Sequence, residues 1–152
     1  MLLLNGFLCD PCESENQIDR LMEKIQSMFA QYQETETVLG LAIRAGLESL
    51  KAVECAGKLL VFHSSLAMAE ASGKLKMRED RKLLGIEKEM AVITPQTTFY
   101  NQLGQDCSGS GCRGDLFVAH NALVYIATIG QVARLTGGQF YKYTYFQVRP
   151  TI

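Results

Sequence analysis

From residue 13 to residue 29 apolar positions recur every three or four residues. Ile18, Leu21, Met22, Ile25, Met28 and Phe29 share one side of a helix whose other side is charged or polar. Pro11 precedes the stretch, and Glu13 or Ser14 supplies a start signal. Residues 31–37 are polar and read as a loop. A second helix is expected over residues 38–54, with Leu39, Ile43, Leu47, Leu50 and Val53 spread more widely around it, so it should be more buried. Gly57 lies just past its end, where a left-handed cap is common. The period then changes. Residues 58–63 form a short apolar run that ends in His63, Ser64 and Ser65, the pattern of a parallel strand covered by helices on both faces.

Residues 64–95 are the least regular part of the chain and include the charge-dense segment from Lys74 to Arg81. A long irregular connection of this kind is often functional. A third helix is expected over 96–106, with Phe99, Tyr100 and Leu103 on one face, closed by the Ser-Gly-Ser-Gly run at 108–111. A second strand follows over 115–119 and a fourth helix over 123–135, stopped by Gly137 and Gly138. A third strand spans 139–143. This order predicts an α/β fold, a parallel sheet flanked by helices and joined by right-handed crossovers. Three strands are too few to cover these helices, so the expectation is part of a larger sheet.

Ligands of open α/β sheets bind at the carboxyl ends of the strands. Here the first such end offers His63, Ser64 and Ser65 and no carboxylate, which points to binding rather than catalysis. The competing class is a hydrolase or metal-dependent α/β enzyme using His63, Ser64 or Asp115. No serine, cysteine and histidine set has the spacing of a triad, and no phosphate-binding glycine loop is present. Arg113-Gly114-Asp115 is the integrin-binding tripeptide, but it leads into a strand. His63 and His120 are the two histidines, each near a strand end, where structural hydrogen bonding is the commoner role.

Composition narrows the picture. The chain has 152 residues, with 47% hydrophobic and 20% charged, an ordinary globular balance for one domain. A net charge of −1 gives no basis for nucleic-acid binding. Met1–Leu4 is apolar but is broken by Asn5 and Gly6 and has no positive residue before it, so no signal peptide is expected. A soluble intracellular protein is the expectation, and with it reduced thiols at Cys9, Cys12, Cys55, Cys107 and Cys112. Cys9 and Cys12 have redox-motif spacing without a strand before them. A four-thiolate zinc site with Cys107 and Cys112 would need an irregular second pair. Isolated thiols are the simpler reading.

The basic segment Lys74-Leu-Lys76-Met-Arg78-Glu-Asp-Arg81-Lys82 is the strongest binding candidate. Its cations can engage peptide carboxylates, arginine bidentately. The alternative is a solvated loop partly neutralised by Glu79 and Asp80.

Two resemblances follow from particular residues. Glu34-Thr35-Glu36-Thr37 before the second helix is similar in placement to the threonine loop of von Willebrand factor A folds, which helps hold a divalent cation together with an aspartate after the next strand. Here His63-Ser64-Ser65 stands at the aspartate's position, so no metal is expected at Thr35 or Thr37. More narrowly, seven blocks occur in order: Glu34-Thr-Glu-Thr-Val38, Gly46-Leu-Glu-Ser-Leu-Lys-Ala52, Gly57-Lys-Leu-Leu-Val-Phe-His-Ser-Ser65, Gly73-Lys-Leu-Lys-Met-Arg-Glu-Asp-Arg81, Pro95-Gln-Thr97, Asp115-Leu-Phe117 and Leu135-Thr-Gly-Gly138. Together they resemble the trunk domain of the Sec-twenty-four-type cargo adaptor of the COPII vesicle coat.

That resemblance implies a partial von Willebrand factor A-like, Rossmann-like parallel sheet. It also implies that residues 1–152 are a partial trunk domain lacking its amino-terminal half. The implied function is cargo selection in endoplasmic reticulum to Golgi transport, by protein–protein recognition and without catalysis. The implied partners are a Sec-twenty-three-type coat subunit and the export signals of cargo and SNARE proteins. The implied location is cytoplasmic, peripheral to the endoplasmic reticulum membrane through the coat. The family's zinc ribbon lies outside the matched region, so no cofactor is expected. Because the family reads short export signals, some acidic, partly on the trunk, Lys76, Arg78 and Arg81 are the expected cargo-peptide residues.

Overall fold

The computed structural model describes residues 9–32, 36–77, 90, 94–119 and 125–144. The chain divides into two units, residues up to 35 and residues from 36 onward. The first is built on α1 (Glu15–Phe29). Asp10 shapes the approach to this helix: its carboxylate accepts from the Cys12 N–H at 2.8 Å and its carbonyl from the Ser14 N–H at 2.9 Å. The predicted apolar stripe is present, yet none of its residues is buried: Leu21, Met22, Ile25, Met28 and Phe29 are all exposed.

The second unit opens with α2 (Leu39–Ala52), which buries Leu39, Ile43 and Leu47 at helical spacing. The left-handed residue after it is Glu54 (φ 53°) rather than Gly57, which already belongs to β1 (Gly57–His63). Gly57 is small for another reason. A Cβ there would press on the Leu50 side chain, so its absence lets the strand pass close under the helix. After β1 come α3 (Phe99–Gly109), β2 (Cys112–Ala119), two short helices α4 (Ile126–Ile129) and α5 (Gln131–Leu135), and β3 (Phe140–Tyr143). The single helix expected over 123–135 is interrupted at Gly130, where a Cβ would strike the Ile126 carbonyl, and residues 120–124 lie outside the described ones.

The three strands form one parallel sheet in the order β1-β2-β3, as the α/β reading requires. Leu60 is opposite Asp115, Phe62 opposite Phe117, and Phe117 opposite Tyr141. β2 begins at Cys112, three residues earlier than expected, because Cys112 and Gly114 lie under the helices and pair in register with Gly57 and Leu59. One face of the sheet carries the core. Leu59, Val61, Leu116, Val118 and Phe140 pack with residues of α2, α3, α4 and α5.

On the opposite face, among the described residues, two β1 side chains stand exposed. The apolar run of β1 predicts cover on both sides; instead the strand alternates, with Leu60 55% and Phe62 75% exposed. Phe62, Phe117 and Tyr141 form a stacked row across this face, with ring centroids 4.9 and 4.8 Å apart.

Candidate functional site

The described start of the basic segment, residues 74–77, is tied into the core. The Leu75 side chain is buried, and its N–H donates to the Ala67 carbonyl at 2.8 Å. The Tyr100 hydroxyl, on the buried face of α3, donates to the Gly73 carbonyl at 2.9 Å, and burial pushes its pKa up to about 12. Gln96 then takes both backbone groups of Lys76. Its Oε1 accepts from the Lys76 N–H at 2.9 Å, and its Nε2 donates to the Lys76 carbonyl at 3.0 Å. The Gln96 N–H is itself held by the hydroxyl of buried Thr128 at 3.0 Å. Tyr100→Phe should leave the Gly73 carbonyl without its donor. We expect a loss of about 1 kcal/mol in urea unfolding, the usual net worth of such a bond.

Of the three expected cargo residues, Lys76 is described and exposed, whereas Arg78 and Arg81 lie outside the described residues. Lys74 is paired with Glu70. The hydrogen bond and charge of Lys74, with a smaller contribution from Lys76, hold the Glu70 carboxyl below its ordinary range. Among the described residues no carboxylate is paired with the Lys76 ammonium. Gln96 and Tyr100 escape a reading of the sequence because a loop glutamine and a core tyrosine carry no periodic signal of what they will hold.

At the carboxyl ends of the strands, Phe62, His63, Ser64, Phe117, Ala119 and Tyr143 line a groove of about 590 Å³, continuous with the aromatic row. The enzyme reading needs His63 and Ser64 to meet a carboxylate here. Asp115 does not serve. It lies three residues before the Val118 that pairs with His63, about 10 Å back along the strand. Its oxygens are occupied: Oδ2 by Lys58 at 2.6 Å, Oδ1 by Arg113 at 3.2 Å and by the Gln139 N–H at 2.9 Å. Thr37, from the suggested cation loop, is also engaged. Its hydroxyl donates to the Leu66 carbonyl at 3.2 Å and accepts from Ser65 at 3.0 Å, tying the start of α2 to the end of β1; Thr35 lies outside the described residues. Among the described residues no group of three His, Cys, Asp or Glu side chains is placed to hold a metal ion.

Lys58 above all, then the Gln139 N–H and Arg113, hold the Asp115 carboxyl down at about 2. A depressed folded-state pKa makes this cluster's contribution complete above the ordinary carboxyl range, about pH 4, and lost as pH falls from there through the folded value. Acid unfolding monitored by circular dichroism should therefore show a limb between these values that Asp115→Asn removes.

Cys107 and Cys112 are buried side by side at the α3–β2 turn, and burial, then the neighbouring Cys112, pushes the Cys107 thiol up to about 11. Cys9, Cys12 and Cys55 are exposed.

Comparison with known proteins places the whole arrangement. Residues 1–151 match the Sec23/Sec24 trunk domain. The human protein transport protein Sec24C is 51% identical over 146 residues, covering 96% of this chain and 13% of that protein. Human Sec24D is 48% identical over the same length, covering 96% of this chain and 14% of that protein. The crystal structure of the human COPII-coat protein Sec24c superposes with a TM-score of 0.91 at 50% identity, over 97% of this chain and 20% of the other. The chain thus spans about one seventh of the length of these curated relatives, and with its parallel sheet and family match it belongs to the Sec23/Sec24 trunk-domain family.

Proposed function

We propose that this chain acts as part of a Sec24-type COPII coat subunit, selecting cargo for endoplasmic reticulum to Golgi transport by recognising peptide signals. The observation that carries this reading is the match to Sec24C and Sec24D along nearly the whole chain. The rooted basic segment supplies chemistry suited to such recognition. Exposed Lys76, followed in sequence by Arg78 and Arg81, addresses the carboxylates of acidic export signals on cargo and SNARE tails. The partners are a Sec23-type coat subunit and those tails. The place of action is the cytosolic side of the endoplasmic reticulum membrane, held there through the coat. Among the described residues no helix is long and apolar enough to cross a membrane.

Charge reversal tests the cargo reading. Arg78→Glu should weaken capture of acidic cargo tails in a pull-down while the Sec23-type partner stays bound. Breaking a buried recognition pair costs about 3–5 kcal/mol, whereas an exposed pair is worth at most about 1 kcal/mol. The size of the loss thus distinguishes a pocket from a solvated loop, and unchanged capture of every tail would remove this segment from cargo binding.

The three described strands also fit one part of a wider trunk sheet. β1 has a neighbour on one side among the described strands, and Leu60 and Phe62 stand exposed on it. A further strand and helix layer would cover them. The chain by itself is therefore expected to self-associate, since open edges and apolar faces promote pairing. A monomer in sedimentation would count against this division of the domain.

A further inference from the structure

We propose that Gln96 is the positioning residue of the basic segment: by closing two hydrogen bonds on the backbone of Lys76, it fixes the root from which the Lys76 ammonium meets a carboxylate of an acidic peptide. This rests on the cargo reading above. A primary amide offers a donor and an acceptor side by side, as a neighbouring strand would. Gln96 uses both, at 2.9 and 3.0 Å, on a residue twenty positions away. Its own N–H is fixed to Thr128, which is buried at the start of the two short helices, so the clamp is anchored in the core rather than in a loop.

The arrangement has a consequence for binding. Lys74 is already occupied by Glu70, and among the described residues Lys76 is the cation of this segment without an ion-pair partner. With its backbone held at both polar groups, Lys76 engages a ligand without first losing main-chain freedom. Fixing one residue's backbone is worth about a five- to thirtyfold change in affinity. Gln96 touches no ligand itself; it acts through Lys76.

The test uses the full chain and two fluorescent peptides, one carrying several aspartates and glutamates, the other its asparagine and glutamine counterpart. Gln96→Met keeps the length of the side chain and removes both hydrogen bonds. The expected result is about a five- to thirtyfold weaker binding of the acidic peptide, unchanged binding of its neutral counterpart, and little change in the melting midpoint. Thr128→Val, which removes only the outer anchor, should produce a smaller loss with the same charge selectivity. Lys76→Gln separates the two levels. If it lowers acidic-peptide affinity while Gln96→Met leaves it within twofold, the clamp has no positioning role and the cargo reading stands. If Lys76→Gln changes nothing, the cargo reading of this residue fails and the clamp's role fails with it. Equal loss for both peptides, or a midpoint lowered as far as by a core truncation, would make Gln96 a structural residue only.

Discussion

Leu116→Ala should destabilise the chain by about 2–5 kcal/mol, the range for removing a large aliphatic side chain from a core that cannot collapse around the gap. Leu116 is fully buried at the centre of the middle strand, between Val61 on β1 and Phe140 on β3. Helices meet the same face, so no single element can move to fill the cavity without leaving its other contacts. Its N–H also donates to the Gln139 carbonyl at 2.9 Å, at the point where β3 begins. Urea unfolding of wild type and variant, with unchanged slope, would give the difference; a loss under about 1 kcal/mol would mean the core is loosely packed.

Gly138→Ala is the second large effect. A Cβ at this position would fall within the carbonyl of Gly114, a backbone atom of the central strand that no rotamer can move aside. The Gly138 N–H is held by the Ala133 carbonyl at 2.8 Å, which fixes the chain as it turns from α5 into β3. Overpacking in a well-filled interior costs about 1–3 kcal/mol and more where backbone must shift. The loss should concentrate at the β2–β3 pairing. Hydrogen exchange is expected to speed up at Leu116–Ala119 and the β3 amides before it does in α2. Uniform acceleration across the unit would instead mean that the strand pair opens only with the whole fold.

Much of this architecture is legible from residue order, and the gaps have physical causes. α1 and α2 announce themselves because a helix repeats its apolar face within a few residues, and β1 because a short unbroken apolar run that ends in polar residues suits a strand. The parallel order follows from alternation of the two. What local pattern cannot convey is which side of a strand finds a partner: Leu60 and Phe62 read as core by composition, and their exposure depends on distant parts of the chain. The early start of β2 at Cys112 likewise arises from pairing with Gly57, far away in sequence, whereas the break at Gly130 is local, set by the Ile126 carbonyl. For the site, lysines and arginines are visible as a charge run. The atoms that hold Lys76 in place are not, since Gln96 and Thr128 are linked to it only through space.

The buried thiol pair at the α3–β2 turn gives the molecule an internal clock. Cys9, Cys12 and Cys55 face solvent, whereas Cys107 and Cys112 are enclosed and the Cys107 thiol is held in its protonated form far above neutral pH. A thiol-selective reagent will therefore mark three sulfurs at once and wait for the other two. The rate of that second phase counts how often this end of the sheet opens, without any introduced probe, and its acceleration in each variant would separate changes in local opening from changes in ligand contact.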